Sequence, residues 1–395
     1  MKIGLFGNFG SGNLGNDGSL EAMTNFLRRA RPDAELVCIC EGPDEIRRDL
    51  DIPAISSRYV ADRASFLSRI PLSRTILGMV HALRVCGRLD ILISPGTGLL
   101  DDFSDTPWGM PAVVAIWCAS ARLRRRKTAF VSIGAGPIVH PVSRWLFKAA
   151  ARIVHYRSYR DAKSKEFLRS IGLKVDRDPI YPDLAFGLPP PAAPTARPGP
   201  QKPATIGVGV MRYHGWRSNK QQGAEIYQAY LGKLVQFVTI LLDKGLHVKL
   251  LVGDKSDKAA VKDVLAGLDL ARPDYPRTAV LVPERTNSLH DVMLQMSDTD
   301  FVVATRFHNI ICALKMKKPC ISVGYAQKFD VLMAEMGLGQ FCQHIERLDV
   351  DLLTAQLEEL MSNEAIYRQA LDKVNKEYQQ RLSLQEDTLS RSILA

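Results

Sequence analysis

Gly187 to Met211 reads GLPPPAAPTARPGPQKPATIGVGVM, and it divides the chain in two. Each proline up to Ala204 removes a backbone donor and fixes its own φ, so the stretch reads as a linker rather than a helix or strand. TIGVGVM, directly after it, is a β-branched run of strand length. Strands and helical patterns alternate on both sides. Upstream run KIGLFG, a helix near Ser19 to Arg31, ELVCIC, DILISPG, a helix over Trp108 to Arg122, TAFVSIGAG, a helix over Val142 to Ala151, ARIVHYRS and a helix over Asp161 to Ile171. Downstream the pattern restarts with a helix near Ala224 to Lys244, HVKLLVG, a helix over Lys258 to Leu268, AVLVPE, a helix over Ser288 to Met296, FVVAT, a helix from about Asn309, and PCISVGY. Strand, loop, helix repeated in this order implies a parallel sheet covered on both faces. The expectation is an α/β chain of two Rossmann-like, doubly wound domains facing a cleft. Its boundaries are 1–187 for the first domain, 188–204 for the linker and 205–345 for the second domain. A helical tail, 346–395, follows. From Phe341 on there is no Gly or Pro, apolar residues recur at helical spacing, and a helix of the tail is expected to pack back on the N-terminal domain.

With 395 residues, 46% of them hydrophobic, the chain can bury a sizeable core. The formal charge of +10 attracts anions, whether phosphorylated substrates, acidic headgroups or nucleic acid. Aromatic residues are not interleaved with the basic runs, which argues against a single-strand stacking surface, and no nucleic-acid partner is expected. Peripheral contact with an anionic membrane, on the inner face of the cytoplasmic membrane, is compatible with the charge. The seven cysteines are odd in number and mostly lie in apolar runs such as ELVCIC and NIICAL, which predicts a reduced, cytoplasmic chain. Cys38 and Cys40 are read as pointing their thiols to opposite faces of a strand, and no metal site is expected. The N-terminus lacks a signal-peptide pattern, and no stretch reaches the roughly 18 to 20 apolar residues of a membrane span.

Within the N-terminal MKIGLFGNFGSGNLGNDGSLEAM, Gly10 to Gly15 spell G-x-G-x-x-G after a strand and before a helix. Glu41 closes the next strand, so the parts of a dinucleotide fingerprint are nominally present. Against it, the acid lies 26 positions beyond Gly15, where about 20 is usual, and the loop is rich in asparagine at Asn8, Asn13 and Asn16. Glycine and asparagine tolerate positive φ, so the loop can equally be a substrate-facing turn or a structural one.

More information sits in Asp300 to Leu338, DFVVATRFHNIICALKMKKPCISVGYAQKFDVLMAEMGL. Arg306 and His308 fall where a buried strand ends and a helix begins. The unpaired N–H groups and partial positive charge of a helix start, joined by Arg and His, make an anion site. Arg306 can clamp a carboxylate or phosphate through two parallel hydrogen bonds, while His308 titrates near neutrality and can serve as acid, base or anion contact. Lys328, after the next strand, adds a cation to the same edge.

These residues carry a resemblance. The Gly7–Gly15 loop with Asn13, the turn Ser94-Pro-Gly-Thr-Gly-Leu-Leu-Asp101, Arg157-Ser-Tyr-Arg-Asp161 followed by Tyr181-Pro-Asp-Leu-Ala-Phe186, and Thr305-Arg-Phe-His308 leading into Ile321-Ser-Val-Gly-Tyr-Ala-Gln-Lys328 are similar to the polysaccharide pyruvyl transferase family. The resemblance runs from the first strand to about Leu338. It implies a glycosyltransferase-B-like architecture and an enzyme that moves pyruvate from phosphoenolpyruvate onto a sugar of a surface-polysaccharide precursor, as a cyclic ketal with release of phosphate. It further implies that Arg306 and His308 contact phosphoenolpyruvate, joined by another arginine for which Arg212 is the match, with Phe307 and Lys328 in the same donor site. The loop reads Gly15-Asn16-Asp17 where the family often has Gly-Asp-Glu, and Ser94-Pro95-Gly96 replaces a run of glycines. Those departures fall on the acceptor side, assigned to Asn8, Gly12, Asn13, Gly15, Gly96 and Gly98.

The chemistry needs an acid and a base. His308 is the expected acid or phosphate partner; Asp183, Asp17 and His214 are candidates for the base. Asp183 can instead cap a turn, and Asp17 can simply favour a helix start. No cofactor is expected beyond phosphoenolpyruvate as donor substrate, and the other expected partner is a sugar or lipid-linked oligosaccharide acceptor. A nucleotide-sugar-dependent glycosyltransferase of polysaccharide biosynthesis is the alternative, with Glu284 as its ribose-binding acid. A cleft without activity, in an assembly factor at the membrane surface, is the non-enzymatic reading.

Overall fold

The computed structural model describes residues 1–59, 71–102, 105–191, 203–215, 220–282 and 286–395. Much of the linker and all of Glu284 fall outside these. The first sheet is built from β1 (Lys2–Phe6), β2 (Glu35–Cys40), β3 (Ala54–Ser56), β4 (Ile91–Pro95), β5 (Lys127–Ile133) and β6 (Tyr156–Tyr159). Its helices are α1 (Leu14–Ala30), α2 (Pro43–Leu50), α3 (Pro71–Cys86), α4 (Met110–Leu123), α5 (Pro141–Ile153) and α6 (Ala162–Ser170). The second sheet comprises β7 (Thr205–Gly209), β8 (His247–Leu251), β9 (Val280–Leu281), β10 (Phe301–Ala304), β11 (Cys320–Gly324) and β12 (Cys342–His344). With it go α7 (Lys220–Asp243), α8 (Lys258–Ala271), α9 (Leu289–Met296), α10 (Phe307–Lys315), α11 (Gln327–Glu335), α12 (Val350–Ser362) and α13 (Glu364–Ser392).

Both sheets are parallel. The first runs β3-β2-β1-β4-β5-β6 and the second β12-β11-β10-β7-β8-β9, the same doubly wound order read from opposite ends. That order has one consequence for function: successive crossovers leave β1 and β4, and likewise β7 and β10, in opposite directions, which opens a crevice at the carboxyl ends of each pair.

By internal contacts the chain forms two compact units. One holds residues 1–11, 16–187 and 380–395; the other holds 12–15 and 188–379. Helix α13 thus contributes its first part to the second unit and its end to the first. In the second unit Asn375 donates to the Leu314 carbonyl at 2.8 Å. In the first, Gln385 bonds Ser132 and Ser158, each at 2.9 Å from its Nε2.

The core of the first unit gathers Phe6, Trp117, Phe130 and Phe147. Phe6 stacks on Trp117 at 5.7 Å, and the indole N–H is satisfied by the Ser57 carbonyl at 2.9 Å. Removing such a ring costs about 3–5 kcal/mol, since the surroundings refill the space only in part. Helix starts follow local chemistry. Ser288 and Asp291 form a reciprocal capping box on α9, and Asp161 accepts the Ser164 N–H at the start of α6.

Several elements differ from the reading of the sequence. Helix α1 begins inside the glycine loop, at Leu14 rather than near Ser19, and ARIVHYRS splits between the end of α5 and β6. The short strands β3, between α2 and α3, and β12, at the end of the second domain, carried too few residues to show a period. The Cys38 and Cys40 thiols lie on one face of β2, as residues two apart in a strand must, not on opposite faces. Burial, and next the neighbouring Cys40 thiol, pushes the Cys38 thiol well up. Among the described residues no group of three or more His, Cys, Asp or Glu could hold a metal ion, and no helix is long and apolar enough to cross a membrane.

Candidate functional site

The crevice of the second sheet lies between the ends of β7 and β10. Arg212 follows β7, and Arg306 occupies the N-cap of α10 with extended backbone, φ −93° and ψ 133°. Its side chain makes no cap hydrogen bond. Instead the guanidinium forks onto Asp257, Nε to Oδ2 at 2.8 Å and Nη2 to Oδ1 at 2.7 Å. Asp257 ends a 3-10 turn after β8 and stands at the N-cap of α8, yet it too caps nothing with its side chain. Oδ1 also accepts the Arg212 backbone N–H at 3.1 Å. The carboxylate is 0% exposed, so one buried charge gathers the chain ends of β7, β8 and β10. Burial works against the Arg306 charge, but the hydrogen bonds and charge of Asp257, with Asp254 behind it, leave its pKa raised. Because Asp257 takes the Nε/Nη2 edge, an anion must meet this arginine on its Nη1 side.

His308 is the second residue of α10, where backbone N–H groups lack helical partners. Phe307, before it, is buried and meets the His308 ring edge-on at 5.5 Å. Lys328 sits above an aromatic bed, its Nζ 5.3 Å from the Phe307 ring centre, 5.6 Å from Tyr325 and 5.8 Å from Phe329. Tyr213 extends the bed, stacking on Tyr325 at 5.6 Å. Rings in that position hold a cation by their negative faces.

The tip of the glycine loop belongs to this same unit. Lys255 donates its backbone N–H to the Gly12 carbonyl at 3.2 Å, Asn13 bridges Asp254, and Gly15 donates to Asn13 Oδ1 at 3.0 Å. Gly12 needs its positive φ of 98°. At Gly15 the need is closeness: a Cβ there would lie 1.8 Å from His308 Nδ1. The structure therefore brings Gly12, Asn13 and Gly15 together with Arg306, Phe307, His308, Arg212 and Lys328. His214 is exposed in the same unit, its Nδ1 3.2 Å from the Gly223 carbonyl.

The remaining expected site residues lie in the first unit. Asp17 accepts the Gly10 N–H at 2.8 Å and so braces the loop turn. Asn16 donates to the Asn8 carbonyl at 3.0 Å. Gly96, at φ 51°, passes so close to Ser19 that a Cβ would lie 2.6 Å away. Asp183 is buried, accepting from Arg160 Nη1 at 3.2 Å and from the Ala185 N–H at 3.1 Å. It thus carries the turn-capping role and an ion pair together. The Arg160 guanidinium lies over Gly134 and reaches toward Gly98.

Reasoning from the sequence missed Asp257, Arg160 and the ring bed under Lys328. For Asp257 the signal was weak but present: an acid follows HVKLLVG at a helix start, where capping is the default explanation. The glycine in that run matters as well, since a Cβ on Gly253 would lie 2.9 Å from Arg306 Cβ.

The family model for polysaccharide pyruvyl transferases matches residues 13–327, which include Asp257, Arg306 and His308 and stop just short of Lys328. No curated protein matches the chain. Among solved structures, UDP-GlcNAc 2-epimerase from Neisseria meningitidis bound to UDP-GlcNAc superposes with a TM-score of 0.61 at 11% identity, covering 100% of both chains. The UDP-GlcNAc 2-epimerase of Methanocaldococcus jannaschii gives 0.60 at 10% identity over 91% of this chain and 92% of that one. Anabaena HepE in complex with UDP and glucose gives 0.58 at 11% identity over 100% of both. At such identities the likeness is one of fold, two doubly wound domains of the glycosyltransferase-B kind.

Proposed function

Because the chain belongs to the polysaccharide pyruvyl transferase family, we propose that it carries pyruvate from phosphoenolpyruvate to a sugar of a surface-polysaccharide precursor, closing a cyclic ketal and releasing phosphate. The observation that supports this most is the Arg306–Asp257 pair beside His308 at the start of α10. Phosphoenolpyruvate carries two anionic groups on a small enol, and its site needs cations and N–H donors fixed before reaction. Arg306, pinned by Asp257, presents its Nη1 side. Arg212 and Lys328 add charge, and the first N–H groups of α10 suit a phosphate.

In this reading a proton reaches the methylene carbon, leaving an oxocarbenium-like centre at the neighbouring carbon. A sugar hydroxyl attacks that centre and gives up its proton. Phosphate then leaves with the C–O bonding pair, and a second hydroxyl closes the ketal. The two hydroxyl protons balance the one gained by the methyl group and the one carried off on phosphate. His308 serves as acid or phosphate partner. Of the candidate bases, Asp183 is held in its pair with Arg160, Asp17 accepts the Gly10 N–H and His214 lies against the Gly223 carbonyl. None of these steps calls for a metal, so a chelator is expected to leave the rate unchanged.

Calorimetric titration with phosphoenolpyruvate and a panel of UDP-sugars tests the reading. Binding of phosphoenolpyruvate that disappears in Arg306→Ala supports it. The second reading, a nucleotide-sugar-dependent glycosyltransferase, is favoured by one observation, that same-fold HepE was solved with UDP and glucose. Binding of a UDP-sugar in place of phosphoenolpyruvate would move the assignment there.

A further inference from the structure

Around the N-terminal ends of α4 and α5 the first unit leaves large apolar side chains in solvent. Trp108 is 72% exposed and Trp145 67%, and Val139 and Val142 are exposed beside them. Val142 and Trp145 lie one turn apart on α5, Val139 just precedes that helix, and Trp108 just precedes α4, which packs along α5. On α3, the next helix in the layer, Ile76 and Met79 are exposed too. A water-facing tryptophan is common singly, but a band of this composition on three neighbouring helices marks a surface that meets something less polar than water.

The charge says what that is. None of α3, α4 and α5 contains an aspartate or glutamate, while α5 carries Arg144, Lys148 and Arg152. The acids of the preceding loop are engaged locally. Asp102 accepts the backbone N–H groups of Val139 and His140, Asp105 accepts those of Thr106 and Met110, and Asp101 lies against Gly98. Amphipathic rings beside the Arg144 cation, on helices that carry no carboxylate of their own, match the headgroup zone of an anionic bilayer.

We propose that this face, centred on Trp108 and Trp145, docks the protein on an anionic membrane surface. The helix N-termini that carry it stand at the carboxyl edge of the first sheet, the same edge as the Gly96–Asp102 loop. Docking therefore holds that edge at the depth of lipid headgroups, where a lipid-linked sugar presents its hydroxyls. The inference that the acceptor is lipid-linked rests on the pyruvyl-transfer reading; the docking itself does not, so vesicle binding and phosphoenolpyruvate calorimetry fail separately.

The test is co-sedimentation of the full chain with vesicles of equimolar phosphatidylcholine and phosphatidylglycerol, against vesicles of phosphatidylcholine alone. The protein is expected to pellet with the anionic vesicles and to be released by salt. Trp108→Ser/Trp145→Ser should weaken binding at least tenfold while circular dichroism and phosphoenolpyruvate binding stay as in the wild type. Arg144→Gln should weaken it roughly fivefold, the effect of one basic residue near such a surface. The proposal is overturned if the wild type ignores anionic vesicles, or if the tryptophan variant binds them unchanged. It is equally overturned if sedimentation velocity shows a dimer that the tryptophan variant abolishes, for the face would then join two copies of the chain.

Discussion

Asp257 accepts three hydrogen bonds with none of its surface in water, and the guanidinium that supplies two of them has its burial offset by that carboxylate. Breaking one side of a buried pair leaves the other charge unsolvated, at about 3–5 kcal/mol, whereas replacing both by apolar groups can be close to neutral. Asp257→Ala is thus expected to lower stability by about that amount, and Asp257→Leu/Arg306→Met by clearly less, in denaturant unfolding read as a double-mutant cycle. Asp257→Asn, which puts an amide N–H against the guanidinium, should weaken phosphoenolpyruvate binding about tenfold or more, near 1.4 kcal/mol, by calorimetry. Gly15 offers a second test at this scale. Gly15→Ala brings a methyl to His308 Nδ1, so turnover should fall more than tenfold while phosphoenolpyruvate affinity changes less; equal losses would mean that the loop shapes the donor site as a whole. Arg306 and His308 were legible in the sequence because strand end, helix start and residue type coincide at one point. Asp257 was not, because its partner is 49 residues away and only the adjacency of β7, β8 and β10 brings them together.

Helix α10 carries the site at one end and a half-buried lysine at the other. Burial lowers the Lys315 pKa to about 8 from its ordinary 10.5, so the native state is penalised wherever that amine must be charged. The sign follows from proton counting. Between about pH 8 and 10.5 the unfolded chain holds this proton and the native chain does not, so this group's contribution to stability rises with pH there and is least below pH 8. Lys315→Met should therefore raise the melting temperature at pH 7 by a few degrees, for a gain of about 1–2 kcal/mol, and the gain should shrink by pH 10. A variant no more stable than the wild type at pH 7 would show that the amine is already well solvated. At the level of elements, buried strands such as β10 and β11 were readable from their mostly apolar, β-branched runs FVVAT and CISVG. Three-residue strands such as β3 and β12 were not, since pairing with a neighbour, rather than a period of their own, defines them.

The two units do not exchange at one point along the chain: 12–15 counts with the second unit and 380–395 with the first. A tail helix packing back on the N-terminal domain is expected from the sequence, but uniform amphipathic spacing does not say where along α13 one core gives way to the other. Yet the end of α13 is as much part of the first core as any strand. Leu389, Ile393 and Leu394 are buried in it, Arg381 donates to the Ile180 carbonyl at 3.2 Å, and Gln385 satisfies the two buried hydroxyls of Ser132 and Ser158 on β5 and β6. Gln385→Leu should strip both hydroxyls of that partner and cost about 1–3 kcal/mol. A chain ending at Gln379 should lose far more, and lose it unevenly. Limited proteolysis followed by mass spectrometry is expected to cut the shortened protein within residues 1–187 well before it cuts within 205–345, because the second unit keeps its own stretch of α13, with Asn375 on the Leu314 carbonyl and Tyr378 on Glu335. If both halves were digested together, the two units would have to unfold as one cooperative body; if neither were, the tail would be a strap over a first unit already complete without it.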